Sequence, residues 1–307
     1  MLTQRYYKTG NDKLAMAVLA RKSSQLVLHS IDLPYRLSSW ALDEPQNACL
    51  WEDEDGSLAA WAVLQTPFWT FDFALHPEHN GLFPELLAWA DGRARETLDS
   101  PHGHPCWFVN VFGDQTGQVQ QLEEAGFACQ ADVGEDSWSK VWMRRVGVMP
   151  LDDYRIPPGF TVRSLSGGPD VEAYVALHQS VFESKSMSIE WRGRTLQHPH
   201  YTPDLDVVIE APDRRLAAFC IGWLDRFDDS PLSGQIEPLG CQADFRRYAL
   251  GRVALAEVLR RMQSMGVRDI YVETDSYRDT AFRLYESMGF NVIRDVLVFR
   301  KDFHPLA

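Results

Sequence analysis

The five cysteines of this chain, Cys49, Cys106, Cys129, Cys220 and Cys241, form no CxxC pair, and their number is odd. Neither a disulfide framework nor a thiolate zinc site is expected, and a reducing, cytoplasmic setting fits best. No stretch approaches the roughly 18 apolar residues of a membrane span. The opening MLTQRYYKTGNDK lacks the apolar centre of a signal peptide, so no membrane partner is expected. Basic residues are also scarce, with 30 Lys and Arg against 43 Asp and Glu and a net charge of −13. Such a surface is poorly suited to a phosphate backbone, so no nucleic-acid partner is expected, whereas a cationic amine suits it. Neither a Gly-Lys-Ser/Thr loop nor a GxGxxG stretch occurs, which excludes the Walker and dinucleotide fingerprints.

What is present is enough apolar material for two domains, 45% of 307 residues. The segment at 148–159, GVMPLDDYRIPPG with its flanking residues, carries Pro150, Pro157, Pro158 and Gly159 and interrupts both helix and strand. It separates halves of nearly equal length, and the halves rhyme. Leu58-Ala59-Ala60-Trp61 matches Leu216-Ala217-Ala218-Phe219 at an offset of 158, each after an acidic turn. Gly126-Phe127 matches Gly289-Phe290 at an offset of 163. Helix, strand, helix at about 82–98, 106–112 and 116–125 recur as 250–265, 269–275 and 279–288. Three matches in one order point to a duplicated fold. Leu255, Val258, Leu259, Met262 and Met265 make one helix face, and Gly266 stops it. Strands alternating with helices give a mixed α/β sheet.

The stretch at 235–252, QIEPLGCQADFRRYALGR, carries the chemistry. A strand runs through a short loop straight into a helix. First-turn amides lack intrahelical partners and sit at the positive end of the helix dipole, which favours an anion such as a diphosphate. Small residues at 249 and 251 permit close backbone approach, and Arg246, Arg247 and Arg252 add charge. Alone, the stretch reads equally as a solvated basic helix start. His198 and His200, flanking a proline, read as a surface loop rather than metal ligands, and Trp61, Trp69, Trp89 and Trp107 as packing.

FRRYALGR before an apolar helix resembles the Arg/Gln-x-x-Gly-x-Gly/Ala signature of the GNAT superfamily of N-acetyltransferases, with Arg246, Ala249 and Gly251 at its marked positions. Ala281-x-x-Leu284-Tyr285-x-x-x-Gly289-Phe290 is similar to that family's closing helix and turn. The resemblance covers about 159–303, with a weaker copy in the first half, as in tandem proteins of the mycothiol-synthase-like type. It implies an α/β (α+β) fold of two tandem GNAT-like domains, each a mixed sheet flanked by helices. Residues 1–150 would form a degenerate domain and 159–307 the catalytic one.

The resemblance further implies acetyl-CoA as acyl donor, no metal, and a small-molecule or peptide amine as acceptor, with a homodimer left open. Leu239, Gly240 and Cys241 would pair with pantetheine through their backbone. Arg246, Arg247, Tyr248, Ala249, Leu250, Gly251 and Arg252 would hold the diphosphate, with Thr274, Arg278 and Ala281 completing the cofactor site. Arg278 stands where many members have Asn. Tyr285 would be the general acid for the leaving thiolate and Glu237 the base for the amine. A non-catalytic acyl-CoA-binding or scaffold protein of the same fold is the rival reading. The first half is expected to hold no acetyl-CoA. Leu122 takes the Tyr285 position, no arginine lies between Phe71 and Leu87, and residues 1–150 carry −9 against −4 for the rest.

Overall fold

The computed structural model describes residues 2–133, 138–225, 232–276 and 280–303. Contacts divide the chain into two compact units, one running to Val141 and rejoined from Arg294 onward, the other spanning Trp142–Ile293. The divisions therefore fall elsewhere than the Pro-rich 148–159 segment. That segment belongs wholly to the second unit, and the C-terminal residues return to the first.

In the first unit the order is β1 (Thr3–Tyr6), α1 (Gly10–Lys22), α2 (Leu33–Leu37), β2 (Ala48–Glu52), β3 (Leu58–Gln65), β4 (Thr70–Leu75), α3 (Phe83–Thr97), β5 (Cys106–Phe112), α4 (Thr116–Glu124) and β6 (Ala128–Cys129). Strand β7 (Ser139–Val146) leads into the second unit, which contains β8 (Thr161–Ser164), α5 (Val171–Phe182), α6 (Ile189–Gln197), β9 (Asp206–Glu210), β10 (Leu216–Leu224), β11 (Ser233–Cys241), α7 (Leu250–Ser264), β12 (Asp269–Asp275) and α8 (Thr280–Ser287). Strand β13 (Asn291–Asp302) ends the series. Among the described residues no helix is long and apolar enough to cross a membrane.

The two units repeat one plan. Strands β1 to β4 are successively antiparallel, and β4 meets β5 in parallel. Strands β8 to β11 are successively antiparallel, and β11 meets β12 in parallel. The matched quartets Leu58–Trp61 and Leu216–Phe219 open β3 and β10. The matched glycines close α4 and α8 alike. Gly126 and Gly289 adopt φ of +84 and +86, in the left-handed region where a Cβ is costly. Behind them Phe127 N–H donates to Leu122 O at 3.0 Å, and Phe290 N–H to Tyr285 O at 3.1 Å. These six-to-one bonds satisfy carbonyls that a bare helix end leaves open.

The return of the C-terminus follows from burial. Residues 296–302 of β13 pair antiparallel with β5, from Val296↔Phe112 to Asp302↔Cys106. Phe299 is fully buried in the first unit's core with Phe71, Leu87 and Val109. In the second unit α7 presents Leu255, Val258, Leu259 and Met262 to the sheet, all inaccessible to solvent. Gly222 and Gly234 make room there, since a Cβ at either would meet the Met262 methyl at 2.5 and 3.0 Å.

Candidate active site

Strands β11 and β12 pair in parallel at Ser233↔Asp269, Gly234↔Ile270 and Gln235↔Tyr271, and no further pair follows among the described residues. The cause lies on the other side of β11. One residue separates Cys220 from Gly222 on β10, whereas Glu237 and Pro238 both intervene between their partners Leu239 and Ile236. This extra residue is a β-bulge, which bends the strand and increases its twist. The Glu237 carbonyl is held there by the Trp223 indole N–H at 2.6 Å. Beyond the bulge, the backbone of Leu239, Gly240 and Cys241 has no β12 partner among the described residues. It is available to an extended ligand laid in the fork.

From Cys241 the chain makes a 3-10 turn over Ala243–Tyr248 and enters α7 through Ala249. Ala249 adopts φ +55 and ψ 29, a left-handed conformation that an L-residue with a Cβ resists. The first intrahelical bond runs from Val253 N–H to Ala249 O, so the amides of Leu250, Gly251 and Arg252 precede the helical ladder. The Gly251 amide neighbours the Cys241 sulfur. Burial pushes the Cys241 thiol up, and that amide and Arg246 partly offset it. Strand end and helix start thus converge on one spot.

Arg246, Arg247, Tyr248 and Ala249 are exposed, and neither Arg246 nor Arg247 has an ion-pair partner among the described residues. Arg252 differs. Its guanidinium donates to Ser287 Oγ at 2.5 Å and lies 3.2 Å from the Met288 sulfur, which ties α7 to the end of α8. Leu250 is wholly core. A Cβ on Gly240 would strike the Phe219 ring at 2.5 Å and Val181 at 2.8 Å, so packing by itself demands glycine there. A Cβ on Gly251 would touch only Leu284 at 3.8 Å, an ordinary contact.

Helix α8 stands beside this loop through Leu284 and Ser287. Tyr285 is on its buried face, 5% exposed, with its ring edge-on to Phe290 at 5.5 Å. Thr274 is buried on β12 and Ala281 half-buried on α8. Arg278 lies outside the described residues. A cavity of about 380 Å³ adjoins the loop, lined by Ala249, Arg252, Val253 and Ala256 on one face of α7 and by Tyr154 and Met288.

Sequence reasoning missed a polar group set between the sheet and helices α5 and α6. Arg192 and Asp206 form an ion pair with no solvent exposure, and the Tyr201 hydroxyl donates to the same carboxylate at 2.7 Å. The Arg192 guanidinium lies 3.8 Å from the centre of the Tyr174 ring. Burial raises the Tyr174 phenol pKa, and the neighbouring Asp206, Glu237 and Cys220 raise it further. Gln235 is 1% exposed, and neither atom of its carboxamide has a partner among the described residues. Tyr174, Arg192 and Asp206 come from α5, α6 and β9, and Tyr201 from the loop between α6 and β9, so only folding brings these four together.

Residues 172–290 match the model of the acetyltransferase (GNAT) family. A mycothiol acetyltransferase of Thermobispora bispora is 29% identical over 159 residues, covering 48% of this chain and 52% of its own. The chain thus spans about half the length of that relative. A GCN5-related N-acetyltransferase from Sphaerobacter thermophilus has a solved structure similar over 100% of this chain and 97% of its own, with a TM-score of 0.66 and 20% identity. A tandem GNAT protein from the clavulanic acid biosynthesis pathway is similar over the whole of both chains, with a TM-score of 0.64 and 12% identity.

Proposed function

We propose, from the premise that this chain belongs to the GNAT acetyltransferases through residues 172–290, that its second unit transfers an acetyl group from acetyl-CoA to a primary amine. The observation that carries the reading is the fork: β11 and β12 part after Gln235 and Tyr271, and an arginine-bearing helix start stands at its end. An extended pantetheine arm fits beside the free edge of Leu239–Cys241, with the diphosphate at the amides of Leu250 and Gly251. Arg246 and Arg247 supply the countercharge, and the cavity beside Ala249 and Arg252 takes the nucleoside end.

Direct attack has three requirements: an uncharged amine, a stabilised oxyanion and a protonated leaving thiolate. Glu237 stands at the bulge where the fork opens, and it takes the amine proton directly or through water. The phenol of Tyr285 gives its proton to the thiolate. The acceptor is a small-molecule amine or a peptide N-terminus. The first unit holds no acetyl-CoA and carries out no transfer.

The burial of Tyr285 against Phe290 favours a second reading, in which the same fold binds acyl-CoA without turning it over. A thermal-shift panel of acetyl-CoA, CoA and ATP, followed by an acetyl-CoA turnover screen over an amine library, separates the two. CoA-dependent stabilisation with release of free thiol supports transfer. Stabilisation without thiol release supports the binding protein. Stabilisation by ATP alone contradicts both.

A further inference from the structure

We infer that the first unit carries a binding site for a neutral, hydroxyl-rich small molecule of saccharide type, distinct from the acetyl-CoA site. In this unit β4 and β5 pair in parallel at Thr70↔Phe108, and a cavity of about 800 Å³ lies among the residues that follow α1, precede α3 and begin α4. That volume lies within the range of small-molecule sites, roughly 300–1,000 Å³. Its lining is dominated by carboxamides: Gln25, Asn80, Gln115, Gln118 and Gln121.

One of these amides organises another. Gln115 is 8% exposed, and its oxygen accepts the Phe112 N–H at 2.7 Å. Its NH2 donates to Leu26 O at 3.3 Å and to the Gln118 oxygen. Gln118 is therefore held through its oxygen. Such preorganisation lowers the entropy cost of binding.

The charge pattern selects the ligand class. Arg294 is the cation of the lining, and it is already spent. Its Nε donates to Asp114 at 3.0 Å, Nη1 donates to the Gln25 carbonyl at 2.6 Å, and the guanidinium lies 3.5 Å from the centre of the Phe112 ring. A polyphosphate would meet no free positive charge there, within a segment that carries −9 over its first 150 residues. Carboxamides bear no formal charge, and each both donates and accepts. Vicinal hydroxyls do the same, so a polyol satisfies them in pairs. An ion meets no opposite formal charge among them.

The test is a nitrogen-15 NMR titration of the full chain with cellobiose and, separately, acetyl-CoA. Cellobiose should shift the backbone amides of 114–121 and the side-chain NH2 signals of Gln118 and Gln121 saturably, with a Kd on the order of 1 mM. Acetyl-CoA should leave those signals in place while moving those of 249–252. Gln118→Leu with Gln121→Leu should abolish the cellobiose response. Asn80→Ala, outside α4, should weaken it several-fold and guards against a misfolded double variant. No saturable shift with cellobiose, or a response unchanged in both variants, overturns the proposal. So does an acetyl-CoA response at 114–121. Failure of acetyl-CoA to move 249–252 counts against the second-unit reading alone.

Discussion

Gln235 and Tyr271 are the last residues through which β11 and β12 pair, and one residue later, after Ile236, β11 carries the Glu237-Pro238 bulge. Cleft, candidate base and free strand edge thus arise from one extra residue. The first unit lacks this device. There β3 and β4 keep constant register from Ala60↔Leu75 to Gln65↔Thr70.

The arginines of the loop separate by role. Arg246→Glu and Arg247→Glu should each weaken acetyl-CoA by about 1–3 kcal/mol, the range of a lost charged hydrogen bond, with little change in stability. Arg252→Ala should lower the unfolding midpoint as well, because it releases Ser287 and Met288. Calorimetry paired with urea melts reads both effects. A uniform response across the three positions would contradict the separation.

Tyr285→Phe removes one hydroxyl and keeps the ring packed on Phe290. If the phenol protonates the thiolate, kcat should fall about 100-fold or more with cofactor affinity nearly kept. Glu237→Gln should slow the reaction chiefly at neutral pH, with recovery at alkaline pH as the amine deprotonates unaided. Parent-like kcat in the first variant returns Tyr285 to the core. A parent-shaped pH profile in the second removes Glu237 from the chemistry.

Ala249 sits in left-handed backbone, where a Cβ costs roughly 1–2 kcal/mol. Glycine removes that strain but gives the unfolded chain more freedom, which offsets part of the gain. Ala249→Gly should therefore stabilise by about 1 kcal/mol or less and leave acetyl-CoA affinity intact. A lower denaturant midpoint in the glycine variant would show that Ala249 is unstrained.

Acid sensitivity has named sources. Burial lowers the His178 pKa to about 3 from its ordinary 6.5. Between those values the unfolded chain binds a proton that the folded chain does not. His178 therefore contributes a stability slope of about 1.4 kcal/mol per pH unit that is lost as pH falls from 6.5 toward 3. Glu257 has its pKa lowered to about 2. Burial opposes that shift, and hydrogen bonds from Arg260, Tyr154 and Arg261 outweigh it, so its share is lost between about 4.5 and 2. His178→Gln should flatten the slope above pH 4.5 and leave the lower limb. An unchanged slope would mean that His178 is protonated in the fold.

Deleting residues 294–307 should unfold the first unit, since β5 loses its antiparallel partner and Phe71, Leu87 and Val109 lose Phe299. Limited proteolysis should find cleavage spread over the first half. A truncated chain as resistant as the parent would show that β13 adds little.

Much of the repeat was legible because local chemistry specifies it. Gly126 and Gly289 mark left-handed helix ends, and the α7 face shows its period in the sequence. The loop was legible too, because strand, arginines, small residues and helix are consecutive. The destination of β13 was not. Phe299 packs on Phe71, Leu87 and Val109, 190 to 228 positions away, and nothing local records that choice. Arg252 read as a phosphate ligand by adjacency, and only the position of α8 shows its tie to Ser287. The Arg192–Asp206 pair was invisible because charged residues in polar helices usually face water.

Titration of the intact chain with acetyl-CoA in a calorimeter tests the central claim most directly. One site per chain is predicted, and it should be lost when Arg246 and Arg247 are both replaced by Glu. Two equivalent sites, or a site that survives the double replacement, would contradict the assignment of the cofactor to the second unit's fork.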